Sequence, residues 1–321
     1  MRAPRVHFYN HRPAPARLEQ EVLAGLAARS KAIPPKFFYD ARGSALFDAI
    51  CEQPEYYPTR TEIAILRRHA GEMAGLMGPN ALLIELGSGS SQKVRLLLEA
   101  LQPAAYMPLD ISEQHLLRAA HALAEDYPWL EVHAACVDYS SSLTLPPCPP
   151  GARRVAFFPG SSLGNFEPDQ AQAFLKRVAD AVRPDGGLLI GIDLKKDARV
   201  LDRAYNDAEG VTAAFNLNLL ARINRELGAD FDLDGFEHCA FYNAARGRVE
   251  MHLVSRRDQQ VRMAGRTVRF AAGEHIHTEN SYKYSVAEFQ ALARGAGFAP
   301  VQVWTDPQGL FSVHYLQTAA G

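Results

Sequence analysis

From residue 81 the chain changes hydrophobic period. "ALLIEL", "AAYMPLD", "LEVHAACVD", "RRVAFFPG" and "GLLIGID" are short, nearly continuous apolar runs, each followed by a turn or a helical stretch. Strands buried on both faces read this way, and their alternation with helices predicts a parallel sheet. Between them, "SSQKVRLLLEALQ", "SEQHLLRAAHALAEDY" and "EPDQAQAFLKRVADAVRPDGG" space their apolar residues helically, with Ser or Glu starts and a Pro-Asp-Gly-Gly stop. The expectation is a doubly wound α/β core.

Upstream, residues 1 to about 35 contain scattered Pro and Arg, and "LEQEVLAGLAARS" reads as a short helix. "SALFDAICEQPEYYPTRTEIAILRRHAGEMAGLMG" predicts two helices divided by the turn from Pro54 to Pro58. Past Lys195 the alternation stops. "DARVLDRAYNDAEGVTAAFNLNLLARINRELGADF" is mostly helical in spacing, followed by strand-like "FEHCAFYNAARGRVEMHLVSRR" and "VRMAGRTVRFAAGEHIHTENSYKYS". The α/β pattern returns with a helix in "SVAEFQALARGAGF" and two strands flanking "DPQG", which read as an antiparallel hairpin. The expected organisation is a helical segment over 1–75, an α/β core over 76–195, an insert over 196–284 and a return to the core over 285–321. The first and third segments are expected to form a second lobe over the carboxyl edge of the sheet, where open α/β folds bind ligands.

Composition narrows the function. A net charge of −2 over 321 residues gives no electrostatic reason to expect nucleic acid or an acidic membrane surface. Cys51, Cys136, Cys148 and Cys239 show no CxxC spacing, which argues against a zinc site or a disulfide framework. No run reaches the ~18 apolar residues of a membrane helix. A cytoplasmic, monomeric protein is the expectation.

The chemistry starts at "LLIELGSGSSQK", Leu82 to Lys93. A dinucleotide site would want GxGxxG, but the position of the third glycine is Gln92. On its own this GxG is also the pattern of an ordinary turn. Acidic residues follow it along the sheet: Glu85 just before the turn, Asp110 at the end of the next strand, and Asp138, with Tyr139 beside it, at the end of the third. A carboxylate about 20 residues past the turn can grip ribose hydroxyls. Three acids at successive strand ends would repel phosphates, and they suit a cationic sulfonium, S-adenosylmethionine, with Lys93 available to its carboxylate. Strand-end aspartates are equally common as helix caps. Two other classes stay open at this point: an NAD(P)-dependent oxidoreductase and a catalytically silent ligand-binding protein.

"FFYDARGSALFDAICEQPEYYPTRTE", "IELGSGSSQKVRLLLEAL", "FFPGSSLGNFEP", "AYNDAEGVTAAFNLNLLARINRELGADFD" and "TENSYKYS" together resemble the histidine Nα-methyltransferases of the ergothioneine pathway, over nearly the whole chain. The resemblance implies a Rossmann-like class I methyltransferase: a mostly parallel sheet, an antiparallel C-terminal hairpin and a second, substrate-binding lobe. It implies transfer of three methyl groups from S-adenosylmethionine to the α-amine of free L-histidine, giving hercynine. Gly87, Lys93, Asp110, Asp138 and Tyr139 match cofactor-binding positions. Tyr39 and Tyr56 match aromatic residues beside the substrate amine. Asn165 and Tyr205 match residues holding the amine and carboxylate, with Tyr39 and Asn165 the catalytic pair. Glu279 and Ser281 match the pair that recognises imidazole, and Met251 lines that pocket. Asn280 departs from the smaller apolar residue common there and is expected to point away from the ligand. A near alternative is a relative acting on another amino acid, such as a prenylated tryptophan.

Bland readings stand beside these. Tyrosines in "EYYP" and "NSYKY" are commonly packing residues, Asn165 follows a Leu-Gly turn, Met251 reads as core, and Glu279 with Ser281 also fits a solvated strand edge. His275 and His277 have the i, i+2 spacing of a metal pair, but no third ligand pattern lies nearby, so no metal is expected.

Overall fold

The computed structural model describes residues 6–11, 16–89, 91–140 and 143–318. They divide into two compact units, one built from 1–13, 58–195 and 283–321, the other from 14–57 and 196–282.

An eight-stranded sheet runs through the first unit. In spatial order its strands are Val6–Asn10, Val132–Cys136, Ala105–Asp110, Ala81–Leu86, Arg153–Phe158, Gly187–Asp193, Phe311–Thr318 and Phe298–Thr305. All neighbours are parallel except Phe311–Thr318, which runs antiparallel to both of its partners. Chain order steps outward from Ala81–Leu86 through Ala105–Asp110 to Val132–Cys136, then returns to the other side at Arg153–Phe158. That reversal is the switch point of a doubly wound sheet, and ligands bind outside the carboxyl ends of its strands.

The continuous apolar runs follow from burial on both faces. All six residues of Ala81–Leu86 are buried. Leu83 shares a core with Leu66, Leu97 and Leu116, from the helices Tyr57–Met77, Gln92–Leu101 and Glu113–Asp126. Leu82, Ile84 and Leu86 share the opposite core with Phe174 and Phe289, from Pro168–Val182 and Val286–Gly295. Helices on both faces are what a parallel sheet requires. Two of the predicted helix starts are reciprocal capping boxes, Glu167 with Gln170 and Ser285 with Glu288. Ser91 and Ser112 occupy N-cap positions without making a side-chain cap bond.

Two parts of the expected helical segment over 1–75 differ. Residues Val6–Asn10 form a strand paired residue for residue with Val132–Cys136. It is an edge strand with three of its five residues exposed, and VHFYN, though it holds Val, Phe and Tyr, is too short a run to stand out as a strand beside the Pro and Arg around it. The helix Tyr57–Met77 contributes Ile65, Leu66, Met73 and Met77 to the first unit's core, so residues from 58 onward belong with the α/β sheet.

In the second unit a four-stranded sheet has the order Lys31–Ala32, His275–Tyr282, Arg248–Ser255, Phe236–Asn243. The strand-like stretch "VRMAGRTVRFAAGEHIHTENSYKYS" divides into a hairpin, Gln259–Met263 with Arg266–Phe270, and the sheet strand His275–Tyr282. The hairpin turns at Ala264 and Gly265, both at positive φ (48° and 73°), as a type I′ turn demands. Helices Ala16–Ala27, Ala41–Glu52, Ala198–Ala204 and Val211–Leu227 complete the unit. Phe38 stacks on Phe215 at 4.5 Å, and Asp40 caps Ala41–Glu52 through Gly43 N (2.7 Å) while pairing with Arg225 (2.6 Å). Among the described residues no helix is long and apolar enough to cross a membrane.

Candidate active site

The strand Ala81–Leu86 delivers the chain into the glycine turn at the switch point. Gly87 N donates to Leu109 O (2.8 Å), which holds the turn against the next strand. Its φ is +80°, and a Cβ there would lie 2.9 Å from Tyr139 Oη, so the Tyr139 ring closes on a position only glycine can fill. Burial pushes the Tyr139 hydroxyl well above its usual range, so it is a neutral hydrogen-bonding group. Ser88 and Ser91 flank the turn with hydroxyls that are buried and have no hydrogen-bond partner. An orphaned buried hydroxyl costs about 1–3 kcal/mol, and a bound polar ligand removes that cost. The turn therefore fits a nucleoside-type ligand such as S-adenosylmethionine. In the sequence these serines look like any turn residue of a glycine turn, and nothing there marks them.

Asp110 closes its strand, whereas Asp138 lies two residues past Cys136, where the third strand ends. Each carboxylate also holds its own turn. Asp110 Oδ1 accepts from Ser112 N (2.8 Å), and Asp138 Oδ1 accepts from Ser140 N (3.1 Å) and from the Ser140 hydroxyl. The bond each makes is a local Asx turn and not a helix cap, since Ser112 holds the N-cap of Glu113–Asp126 and a turn, not a helix, follows Asp138 among the described residues. It leaves the ligand reading intact, since a carboxylate has about four acceptor sites. Burial pushes the Asp110 carboxyl up, with the Ser112 backbone opposing it.

Lys93 does not stand alone on its helix. Its ammonium lies 2.6 Å from Glu62 Oε2, and Glu62 is fully buried. The same carboxylate accepts from Gly160 N at 2.9 and 3.1 Å. Glu62 therefore ties the helix Tyr57–Met77 to Lys93 and to the loop leading into Asn165. It is the most consequential residue missed in the sequence, where a lone Glu in "TRTEIAIL" carries no sign of a buried partner. An ammonium has three donors, so Lys93 held by Glu62 can still meet a ligand carboxylate.

Glu85 is buried between the strands, and the Tyr106 hydroxyl donates to it. Burial pushes its carboxyl from 4.5 to about 8, against the bond from Tyr106 and the charge of Lys93. The unfolded chain releases this proton near the ordinary value and the folded chain only near pH 8. Between those values the folded state holds more protons, so stability falls as pH rises, by at most about 1.4 kcal/mol per pH unit. Urea unfolding of the ligand-free protein should show Glu85→Gln with a flatter stability profile than wild type across that window. Parallel profiles would contradict this.

A second set of candidates lies in the second unit. Ser281 is buried, and Tyr205 Oη donates to Ser281 Oγ at 2.8 Å. The Tyr56 ring meets Tyr205 edge-on at 6.2 Å. Burial, then Tyr205, Cys51, Glu279 and Tyr39, push the Tyr56 hydroxyl far above its usual range. Tyr39 contacts Phe47 and Phe215 edge-on at 5.8 and 5.9 Å. Glu279 and Ser281 pair across strands with Met251 and Val249, while Asn280 pairs with Glu250. Paired residues share a face and successive residues alternate. Met251, Glu279 and Ser281 therefore share one face, and Asn280 lies on the other. Tyr39, Tyr56, Tyr205, Met251, Glu279 and Ser281 thus belong to a single structural set. Asn165 belongs to the first unit, at the end of the 3-10 turn Ser162–Asn165.

A doubly wound sheet with a glycine turn at its switch point, carboxylates at the next strand ends and an antiparallel closing hairpin is a class I S-adenosylmethionine-dependent methyltransferase fold. Within that class the chain belongs to the histidine-specific, S-adenosylmethionine-dependent methyltransferases, whose family model matches residues 18–318. It is 46% identical over 302 residues to the histidine N-alpha-methyltransferase of Mycolicibacterium smegmatis, covering 92% of this chain and 93% of that protein. With the Mycobacterium tuberculosis histidine N-alpha-methyltransferase the identity is 44%, at the same coverage. Ergothioneine biosynthesis protein 1 of Neurospora crassa is 35% identical over 282 residues, covering 85% of this chain and 32% of that longer protein.

Proposed function

We propose that this chain transfers three methyl groups from S-adenosylmethionine to the α-amine of free L-histidine, forming hercynine for ergothioneine biosynthesis in the cytoplasm. The observation that carries the substrate assignment is the shared face of Glu279, Ser281 and Met251, with Tyr205 bonded to Ser281. Glu279 can accept from one imidazole N–H, and Ser281 can donate to or accept from the other nitrogen. In this reading the protein works as a monomer.

S-adenosylmethionine supplies an electrophilic methyl on a sulfonium: an amine lone pair attacks the methyl carbon in line, the methyl–sulfur bond breaks, and S-adenosylhomocysteine leaves as a neutral thioether. The protein's part is to position that lone pair. Burial keeps the Tyr56 hydroxyl protonated, so it orients the amine without acting as a base. Asn165 offers a neutral amide, which avoids locking the amine as ammonium. The amine sheds its protons to water. As methyls accumulate, N–H donors disappear and a fixed cation remains. Tyrosine faces at Tyr39 and Tyr56 suit that cation by about 0.5–2 kcal/mol when desolvated.

Histidine methylated on either ring nitrogen tests the imidazole assignment. Both isomers should show kcat/KM at least tenfold below histidine, since each removes a ring N–H or lone pair that the pair reads. Turnover of both as readily as histidine would overturn it.

A further inference from the structure

The second unit's four-stranded sheet carries a different chemistry on its reverse face. The strand register shifts between His277 and Glu279, which turns His277 to the face opposite Glu279; His277 pairs directly with His252, and Glu250 lies two residues from His252, so all three share that face. Glu250 Oε2 lies 3.1 Å from His252 Nε2, while its Oε1 accepts from Arg248 Nε (2.8 Å) and Asn243 Nδ2 (3.1 Å). The His252 ring stacks between Phe241 and His277, at 5.5 and 4.6 Å. His277 Nε2 lies 3.0 Å from the Glu279 carbonyl. A carbonyl only accepts, so the proton of neutral His277 is on Nε2 and the lone pair on Nδ1. His252 is 8% exposed, and its Nδ1 is buried with no hydrogen-bond partner. One donor atom from each of the three side chains lies within 4.8 Å of the other two.

We propose that Glu250, His252 and His277 form a binding site for a divalent transition metal of the zinc, cobalt or nickel class. Metal–nitrogen and metal–oxygen bonds of about 2.0–2.2 Å set tetrahedral donors roughly 3.4 Å apart. The Glu250–His252 spacing already approaches this, and modest side-chain rotation closes the rest. Two imidazoles with one carboxylate select such metals over magnesium or calcium, which prefer all-oxygen shells. The bond from His277 Nε2 to the Glu279 carbonyl is the outer contact that fixes a ligating imidazole's ring and tautomer. Arg248 keeps Glu250 ionised through the oxygen that does not face His252. The sequence offers no third ligand near His277; the neighbouring strand supplies two. This inference does not rest on the methyl-transfer reading.

The full chain, stripped with chelator, should be titrated with cobalt(II) and zinc(II) chlorides, following the visible d–d absorption of cobalt and the heat of zinc binding. His277→Phe and His252→Phe keep the stacked rings and remove one ligand each, so at least one is expected to fold. A second trio, His7, Glu131 and His133, lies in the first unit, and His7→Ala controls for it. The expected result is saturable binding that survives His7→Ala and weakens at least tenfold in whichever phenylalanine variant folds. Absence of saturable binding, or binding unchanged by the phenylalanine variants and lost in His7→Ala, would overturn the proposal.

Discussion

Replacing Lys283 with methionine should destabilise the protein by about 3–5 kcal/mol, because it strips the ion partner from a carboxylate deep in the first unit. Lys283 Nζ lies 2.7 Å from Asp193 Oδ2, with both side chains 1% exposed. Asp193 ends the strand Gly187–Asp193, and its N–H donates to Ser161 Oγ at 2.8 Å, which ties the strand end to the loop carrying Asn165. The loss would take a large share of the 5–15 kcal/mol that usually holds a folded protein. Adding Asp193→Asn should recover part of it, since the buried charge is then gone. Urea unfolding of both variants checks this; a loss under about 1 kcal/mol for Lys283→Met would show that the pair contributes no more than a surface ion pair.

The second large effect falls on substrate choice. Glu279→Ala and Ser281→Ala should each lower kcat/KM for histidine by roughly 5- to 150-fold, the equivalent of about 1–3 kcal/mol for one unmet buried polar group. S-adenosylhomocysteine affinity should hold, because neither residue belongs to the glycine-turn set. Ser281→Ala also takes away the acceptor for Tyr205 Oη, so the two losses are not expected to add. Steady-state kinetics with calorimetry separates the effects. Equal loss of S-adenosylhomocysteine binding would mean these residues support the fold rather than read the imidazole.

Much of the α/β core could be read from the sequence because burial on both faces writes itself as unbroken apolar runs, as in Ala81–Leu86. Partners that are close in space but far in sequence leave no such trace. Glu62 meets Gly160 from 98 residues away and Lys93 from a separate helix, and nothing in "TRTEIAIL" marks it. Val6–Asn10 leaves little trace for a different reason: it is too short a run to stand out beside the Pro and Arg around it. The glycine turn was legible as a turn, but its fit to a ligand came from Tyr139 pressed on Gly87 and from the orphaned hydroxyls of Ser88 and Ser91. Strand alternation alone placed Glu279 and Ser281 together and turned Asn280 away. Their relation to Tyr205 needed the fold. Asp110 and Asp138 had two readings from sequence, helix cap and ligand contact; the structure gives them local turn bonds in place of the cap, which leaves the ligand reading open.

The central claim is trimethylation of free histidine, and one experiment addresses it directly. Purified protein, S-adenosylmethionine and an equimolar mixture of the twenty amino acids are incubated together and the products followed by mass. A histidine-derived product heavier by three methyl groups, with three equivalents of S-adenosylhomocysteine formed per product, is the expected result. Methylation of a different amino acid, with histidine untouched, would contradict it.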